Sequence, residues 1–166
     1  MLTAGRLKEL LSYDPETGEF RWLVSSGRVF KGSVAGCLSK GYIQIRVDNQ
    51  AYRAHRLAWL YVHGVWPTKE IDHIDSARPN NRIANLREAT RTENLRNIGL
   101  QSHSTTGYKG VSKAANKYLA CATLNSKKIH LGHFPTAELA SEAYQTFAKA
   151  NHGEFYRTTE RQHVTV

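Results

Sequence analysis

Side chains that could take part in phosphate chemistry are concentrated in one part of the chain, residues 71–97. These 27 residues include two aspartates, one histidine, five asparagines and five arginines. Charged and amide side chains are seldom buried in such numbers, so core packing does not explain this composition. Carboxylates and amides bind hard cations, histidine exchanges a proton near neutral pH, and arginine binds phosphate. The composition therefore indicates a site for the hydrolysis of phosphate esters.

Hydrolysis of a phosphodiester needs a base, a cation and a group that orients the base. His73 is the candidate general base, because the pKa of histidine is close to neutral pH. Asp72 and Asn94 can offer oxygen ligands to a magnesium ion. Asn85 can orient the base by bonding its ring or the backbone of the nearby loop. The flanking phosphates can be bound by arginines of the same segment, namely Arg78, Arg82, Arg87, Arg91 and Arg96.

Each of these residues also has a purely structural explanation. Most adjacent Asp-His pairs are incidental, Asn85 fits a turn, and Asn94 fits a solvated helix position. The combination favours a site, and no single residue does. Asp72 and His73 are adjacent in a predicted strand, residues 71–74, where successive side chains point to opposite faces. Both can serve one site only if the chain leaves regular strand geometry there, at the strand end or at a bulge.

The segments that follow this strand predict the scaffold of the site. Residues 75–81 have the composition of a loop, and residues 82–87 return as a second strand or turn with Ile83 facing inward. Thr90 and Glu93 form a capping box, which predicts that a helix begins there. We therefore expect the order strand, loop, strand or turn, and helix.

The N-terminal third predicts a small β element followed by a helix. Its predicted elements are a hairpin that includes Phe20 and Trp22, a strand over residues 42–47, a turn over residues 48–50, and a helix from Ala54 to Gly64. His55 and Arg56 lie at the start of this helix. They either contact phosphate and flank the site, or His55 is a hydrogen-bonded residue that supports the fold.

The composition limits the class of protein. The chain has 166 residues, of which 40% are hydrophobic, so it can form one ordinary domain or two small ones, each with a packed core. The net charge of +9 favours a polyanionic partner, most often nucleic acid. Charge that serves general solubility or a ribosomal protein is the alternative. Both halves carry an excess of basic residues, so both could contact the same duplex.

Cysteine content and hydropathy narrow the class further. Cys37 and Cys121 are the only cysteines and lie far apart, so neither a disulfide framework nor a four-thiolate zinc site is expected. Both are predicted to be buried free thiols. No run approaches the roughly 20 apolar residues of a membrane span, and the N-terminus lacks the pattern of an export signal. We therefore expect a cytoplasmic protein.

The C-terminal third predicts a second module in which three strands pack against one helix. The strands are residues 108–112, 118–125 and 128–134, with a turn at residues 125–126; the helix follows Pro135-Thr136 and ends at Gly153. A stripe of small residues on the helix should cover one face of the sheet. The other face would be cationic and partly aromatic, which fits a DNA major groove, or it is simply solvated. Its expected residues are Lys109, Lys113, Lys117, Tyr118 and Lys127 or Lys128.

Three short motifs resemble the HNH nuclease family, which has the ββα-metal fold. They are Asp72-His73, Asn85-Leu86-Arg87 and Glu93-Asn94, in the variant where asparagine replaces the final histidine. The chain is most similar to the phage and mobile-intron branch, and the similarity covers about residues 5–98. The resemblance implies that His73 is the general base, that Asp72 and Asn94 bind Mg²⁺ or Mn²⁺, and that Asn85 orients the base.

The C-terminal third resembles the AP2 DNA-binding domain. The matching segments are Tyr108-Lys109-Gly110-Val111, Leu131-Gly132-His133-Phe134, Thr136-Ala137-Glu138 and Gly153-Glu154. The resemblance implies a domain that holds the protein on DNA. Such domains also occur attached to HNH nucleases in phages.

Together, these observations predict an α+β protein with two modules. Its predicted parts are a nuclease domain (1–98), a linker (99–106), an AP2-like domain (107–157) and a tail (158–166). The expected function is a metal-dependent, homing-type nicking endonuclease on double-stranded DNA, monomeric or dimeric, in a bacterium or a phage-infected cell. The alternatives are a non-catalytic DNA-binding regulator with an inactive HNH module and an RNA-directed protein. The predicted DNA-binding residues are Arg56, Arg82, Arg87, Lys109, Lys113, Lys117, Tyr118, Lys127 and Lys128.

Overall fold

The structure, a computed structural model, describes residues 1–97, 100, 104–124 and 127–156, with only the backbone of residue 154. The chain forms two compact units, Met1–Thr90 and Arg91–Val166. The domain boundaries placed at residues 98 and 107 stay predictions, and the tail and much of the linker lie outside the described residues. Helices and small antiparallel sheets are mixed along the chain, in agreement with the α+β prediction. No helix within the described ranges is long and apolar enough to cross a membrane.

The first unit contains two helices and seven strands. In chain order these are α1 (Ala4–Leu10), β1 (Leu11–Tyr13), β2 (Phe20–Trp22), β3 (Cys37–Ser39), β4 (Tyr42–Val47), β5 (Gln50–Arg53), α2 (Ala54–His63), β6 (Glu70–His73) and β7 (Leu86–Ala89). All pairings are antiparallel, and the sheets are β1-β2, β3-β4-β5 and β6-β7.

Turn and cap residues explain where these elements begin and end. The Thr3 hydroxyl accepts a hydrogen bond from the Arg6 N–H at 3.2 Å and caps α1. Asp48 and Asn49 both have positive φ, 46° and 64°, which suits the tight turn of the β4-β5 hairpin. Gly64 ends α2 in the left-handed conformation with φ 77°. The hairpin at β2, the strand β4 and the helix α2 are therefore confirmed.

The structure contains one short strand that the sequence did not predict, and it corrects the expectation that both cysteines are buried. Alternation does not predict β3, because its three residues present Cys37 and Leu38 to solvent at the edge of the sheet. Cys37 is consequently exposed and not buried, and Cys121 is half-buried. Both thiols are free, as expected.

One hydrophobic core joins the N-terminal elements to β6 and β7. Leu7, Phe20 and Leu57 form part of its centre, and Ile71 and Leu86 add one buried side chain from each strand of the β6-β7 hairpin. Each such aliphatic side chain contributes about 1.5–3 kcal/mol when it is buried. The hairpin that carries Asp72 and His73 is therefore fixed to the main core of the unit.

The loop between β6 and β7 is supported by the first hairpin. The Tyr13 hydroxyl donates a hydrogen bond to the Asn81 carbonyl at 2.7 Å. Gly18 has φ 76°, and a Cβ atom there would lie 2.5 Å from the Arg82 nitrogen and 2.6 Å from the Asn81 carbonyl carbon. Only glycine permits so close an approach in this conformation.

The second unit contains α3 (Arg91–Asn97), β8 (Val111–Ala114), β9 (Lys117–Leu124), β10 (Lys127–Phe134) and α4 (Ala137–His152). The three strands form an antiparallel sheet with β9 in the middle, as predicted. Thr136 caps α4 by accepting a hydrogen bond from the Leu139 N–H at 3.3 Å. β8 begins later than predicted because Gly110 has φ 72° and packs under the ring of Tyr144. The predicted turn at residues 125–126 lies outside the described residues.

The sheet of the second unit shows which residues face the helix. Val111, Ala120 and Ala140 pack together, and Tyr118 packs against them. Lys113 is the direct cross-strand partner of Tyr118, so it shares that side of the sheet. The expectation that Tyr118 and Lys113 lie on the side away from the helix is therefore wrong. We use the term outer face for the opposite side, whose residues by register are Ser112, Ala114, Lys117, Leu119, Cys121, Thr123, Lys128, His130 and His133.

Candidate active site

Asp72 and His73 occupy the end of β6, and both are buried, with exposed fractions of 4% and 5%. The pairing with β7 continues without a bulge through both residues, and His73 is the last residue of the strand. Ser76, with φ 59°, follows in the loop. The chain therefore leaves strand geometry directly after His73, at the strand end.

The Asp72 carboxylate is bound by Arg87, which lies directly opposite on β7. Arg87 Nε and Nη2 both donate to Asp72 Oδ2, at 3.0 Å and 2.9 Å. The two side chains are only 14% and 4% exposed, so solvent screens this ion pair weakly. The guanidinium neutralises a carboxylate that the core would otherwise destabilise.

His73 contacts a different set of side chains. Its ring centroid is 5.0 Å from that of His55, edge to face, and 6.1 Å from that of Tyr42. Burial lowers the pKa of His73, while a hydrogen bond with Asn81 and the charges of Asp75 and Asp72 act in the opposite direction. A lowered pKa keeps the imidazole neutral near pH 7, and the neutral form is the one that can accept a proton.

His55 lies beneath His73 and is also buried, with an exposed fraction of 8%. Its ring centroid is 5.4 Å from that of Tyr42. The pKa of His55 is lowered to about 3, mainly by burial and in smaller part by the neighbouring His73 and the positive charges of Arg56 and Arg53. Within the part of the chain that the structure describes, its Nδ1 atom has no hydrogen-bond partner. His55 is therefore held by ring packing, which differs from the hydrogen-bonded role considered from sequence.

Asn85 fastens the loop that follows His73. Its Oδ1 atom accepts from the Asp75 N–H at 3.0 Å, and its Nδ2 atom donates to Asp75 Oδ1 and to the Asn80 carbonyl, both at 2.9 Å. Burial raises the pKa of Asp75, but hydrogen bonds from Asn80, the Ala77 N–H and Asn85 outweigh it and hold the pKa below its usual value. Asn85 thus bonds the backbone of the loop, and its role as an orienting residue stays a prediction.

The predicted metal ligands are one carboxylate and one amide. Asp72 is a hard oxygen donor of the kind that Mg²⁺ and Mn²⁺ prefer, and both of the Arg87 contacts above fall on a single oxygen. Asn94 lies on α3, which belongs to the second unit. No cluster of three or more His, Cys, Asp or Glu side chains able to hold a metal occurs among the described residues. The donor chemistry of Asp72 suits a hard cation, and the ligand pair stays a prediction.

The predicted DNA-binding residues of the first unit differ in their surroundings. Arg82 is exposed. Arg56 donates to the carbonyls of Pro67 and Lys69 at 3.4 Å and 3.5 Å. Arg87 binds Asp72, so its guanidinium already has a protein partner.

The predicted DNA-binding residues of the second unit are divided between the two sides of the sheet. Lys117 and Lys128 lie on the outer face, and both are exposed. Lys113, Lys127 and Tyr118 lie on the helix side by register. Lys109 precedes β8, and its Nζ atom donates to the Arg96 carbonyl at 2.6 Å.

Residues that the sequence did not single out complete the site. Tyr42 contacts both histidines, and Asn81 and Tyr13 form part of the loop support. Burial raises the pKa of Tyr13 to about 12, so its hydroxyl stays protonated as a donor. The Asn80-Asn81 pair was a signal available in the sequence, whereas nothing in the sequence placed Tyr42 beside His73.

Comparison with known proteins shows which families the chain resembles. A family model described as HNH endonuclease matches residues 52–96, which include Asp72, His73, Asn85 and Asn94. The chain is 32% identical over 121 residues to an uncharacterized HNH endonuclease of Acanthamoeba polyphaga mimivirus, covering 71% of this chain and 63% of that protein. It is 31% identical over 111 residues to Protein 3.8 of Escherichia phage T7, covering 65% of this chain and 91% of that protein. No solved structure matches the chain significantly.

The family-model match spans the β6-β7 hairpin and indicates the class of protein that this segment resembles. Residues 52–96 match the HNH endonuclease family, and the mimivirus relative is described as a member of that family. Members of this family are nucleases, and they generally use a divalent metal ion. The chain spans 63% of the length of the mimivirus relative.

Proposed function

We propose that this protein is a metal-dependent DNA endonuclease in which His73 is the general base. The observation that carries the proposal is the position of His73 at the end of β6, where burial favours its neutral form and the adjacent residue is a carboxylate. Asn85 fixes the loop that follows and so limits the movement of the strand end. A fixed neutral imidazole can take a proton from a water molecule that attacks a phosphodiester.

Asp72 and Asn94 are the proposed ligands of Mg²⁺ or Mn²⁺. When bound, such an ion stabilises the negative charge that develops on the leaving oxygen. In the absence of the ion, Arg87 compensates the charge of Asp72. A bound cation would share the Asp72 carboxylate with Arg87 or loosen the contact between them.

The second unit is proposed to hold the protein on DNA in the manner of an AP2-like domain. The three-stranded sheet and its helix support this, as do Lys117 and Lys128 on the outer face. The similarity to proteins of a phage and a large virus supports a role as a mobile-element or phage nicking enzyme of the homing type. Because the proposed base belongs to the first unit, loss of positive charge from the second unit should affect DNA affinity more than the rate of the chemical step.

A second candidate function is a DNA-binding protein without nuclease activity. The ion pair between Asp72 and Arg87 favours it, because a carboxylate held by a guanidinium is a weaker metal ligand. Plasmid nicking distinguishes the two candidates. The nuclease should convert supercoiled plasmid to open circles in Mg²⁺ or Mn²⁺ but not in EDTA, whereas a regulator would bind the plasmid and leave it intact.

Substitution of the base tests the role of His73. His73→Ala should abolish nicking and leave DNA affinity within about twofold, because the base acts on water and contributes little to binding. His63→Ala is the matched control, since His63 is exposed at the end of α2 and should leave nicking unchanged. Nicking at the wild-type rate by His73→Ala would refute the proposed base.

A further inference from the structure

Two arginines lie against the ring of Tyr42, next to His73. The Cζ atom of Arg53 is 4.9 Å from the ring centroid and that of Arg78 is 5.0 Å from it. The same ring is 6.1 Å from the ring of His73. We call Tyr42, Arg53 and Arg78 the Tyr42 cluster. It brings two positive charges close to the proposed base.

The two arginines come from different elements, and other contacts support their placement. Arg53 ends β5, and its Nη1 atom donates to the Ser39 carbonyl at 2.9 Å. Arg78 lies in the loop after β6 and passes over Gly41, where a Cβ atom would be 3.6 Å from Arg78 Cδ. The ring of Tyr42 therefore contacts two guanidinium groups, those of Arg53 and Arg78, which are 25 residues apart in the sequence.

The charge of this cluster is not balanced by acidic side chains. Within the described residues, neither Arg53 nor Arg78 forms a salt bridge, whereas Arg87 and Arg6 do. Since both Cζ atoms lie within 5.0 Å of one centroid, they are no more than about 10 Å apart and repel each other. An anion that contacts both guanidinium groups removes this repulsion and supplies acceptors for their remaining N–H groups.

We propose that the Tyr42 cluster binds a backbone phosphate of the DNA substrate beside His73, with Arg53 and Arg78 contacting the phosphate and Tyr42 acting as a positioning residue. The inference rests on the proposed nuclease function, because it assigns the substrate contact at the same site. It also separates these two arginines from Arg87, whose partner is Asp72. The expected ligand is a nucleic acid, because its backbone carries a row of phosphates and not a single one.

The test is the salt dependence of DNA binding by the full-length protein, measured in EDTA so that metal-dependent cleavage is suppressed. The probe is a 30-base-pair duplex, and fluorescence anisotropy gives the affinity at several salt concentrations. Loss of one phosphate contact should reduce the slope of log K against log salt by about 0.9. Because both arginines contact the same phosphate, the double variant Arg53→Gln/Arg78→Gln should show this reduction in full, and Arg78→Gln and Arg53→Gln should each show part of it. Arg46→Gln is the matched control, because Arg46 is exposed on β4 and contacts no aromatic ring among the residues that the structure describes.

Variants of Tyr42 test its positioning role. Tyr42→Phe keeps the aromatic face and should retain the wild-type slope of log K against log salt. Tyr42→Leu should show most of the reduction in slope that the arginine variants show. Adding Arg78→Gln to Tyr42→Leu should then have little further effect. If Arg78→Gln leaves both slope and affinity unchanged, the inference is overturned; this variant lies on an exposed loop and should fold normally.

The same samples assayed for plasmid nicking in Mg²⁺ separate this inference from the proposed function. Normal nicking with unchanged slopes would reject the phosphate site alone. If the wild-type protein does not nick plasmid but the arginine variants still show reduced slopes, the nuclease function is rejected and the phosphate site is retained.

Discussion

Acidification should destabilise the first unit through His55. This side chain is buried against two aromatic rings, and burial lowers its pKa from 6.5 to about 3. Below pH 6.5 the His55 side chain binds a proton in the unfolded chain but stays neutral in the folded chain. The stabilisation is therefore complete above pH 6.5 and is lost as the pH falls towards 3.

The size of the effect follows from the two pKa values. At pH 5, the unfolded state gains roughly 2 kcal/mol from protonation of His55, and at pH 4 the gain is about 3 kcal/mol. The value at pH 5 is set almost entirely by the unfolded pKa, because the folded pKa lies well below it. His73 has a lowered pKa too and shifts the stability in the same direction.

Urea unfolding at pH 7.5, 6 and 5 measures this loss. All three tryptophans, Trp22, Trp59 and Trp66, lie in the first unit, so their fluorescence reports its unfolding. His55→Phe keeps a ring of similar shape but cannot bind a proton. Between pH 7.5 and 5, the wild type should lose about 2 kcal/mol more than this variant. His63→Phe, at an exposed position, should behave as the wild type. If the wild type and His55→Phe lose stability in parallel, the reasoning about burial is refuted.

Three further outcomes follow from the packing and the charges. Arg87→Met should lower the free energy of unfolding by about 3–5 kcal/mol, because it leaves the Asp72 carboxylate buried without its guanidinium partner. Urea unfolding at pH 7.5 measures this loss, and adding Asp72→Asn should recover much of it. Gly18→Ala should cost about 1–3 kcal/mol more than Gly27→Ala, since both glycines have positive φ but only Gly18 touches backbone; equal melting temperatures would contradict the close contact. Glutamine at the outer-face lysines, Lys117 and Lys128, should lower the salt slope of DNA binding more than glutamine at Lys113 and Lys127. Equal changes in salt slope for the two pairs of lysines would show that the outer face is not the main DNA-binding side of the sheet.

Periodicity and turn chemistry predicted the elements that carry the site. The strand that ends at His73, the helix that begins at Ala54 and the helix that follows Thr136 are present because each combines an apolar pattern with a clear terminal signal. The three-strand arrangement of the second unit was predicted for the same reason. Edge elements without such a pattern, such as β3, could not be predicted.

Contacts between distant residues were largely invisible in the sequence. The pairing of Asp72 with Arg87 depends on the register of β6 and β7, which alternation alone does not specify. Tyr118 was assigned to the wrong side of its sheet because it was grouped with the nearby lysines as one cationic, partly aromatic face. Its spacing of two from Ala120, which faces the alanine-rich helix, was the better signal.

The support that Tyr13 and Gly18 give to the loop limits how this site could be transferred to another protein. The region that matches the family model begins at residue 52, yet the backbone of Asn81 and Arg82 rests on a hairpin some 60 residues earlier in the chain. A graft of the matched residues alone would carry the chemical groups but not the surface that shapes their loop. Inheritance of this site by recombination therefore favours exchange of the whole first unit over exchange of the short motif.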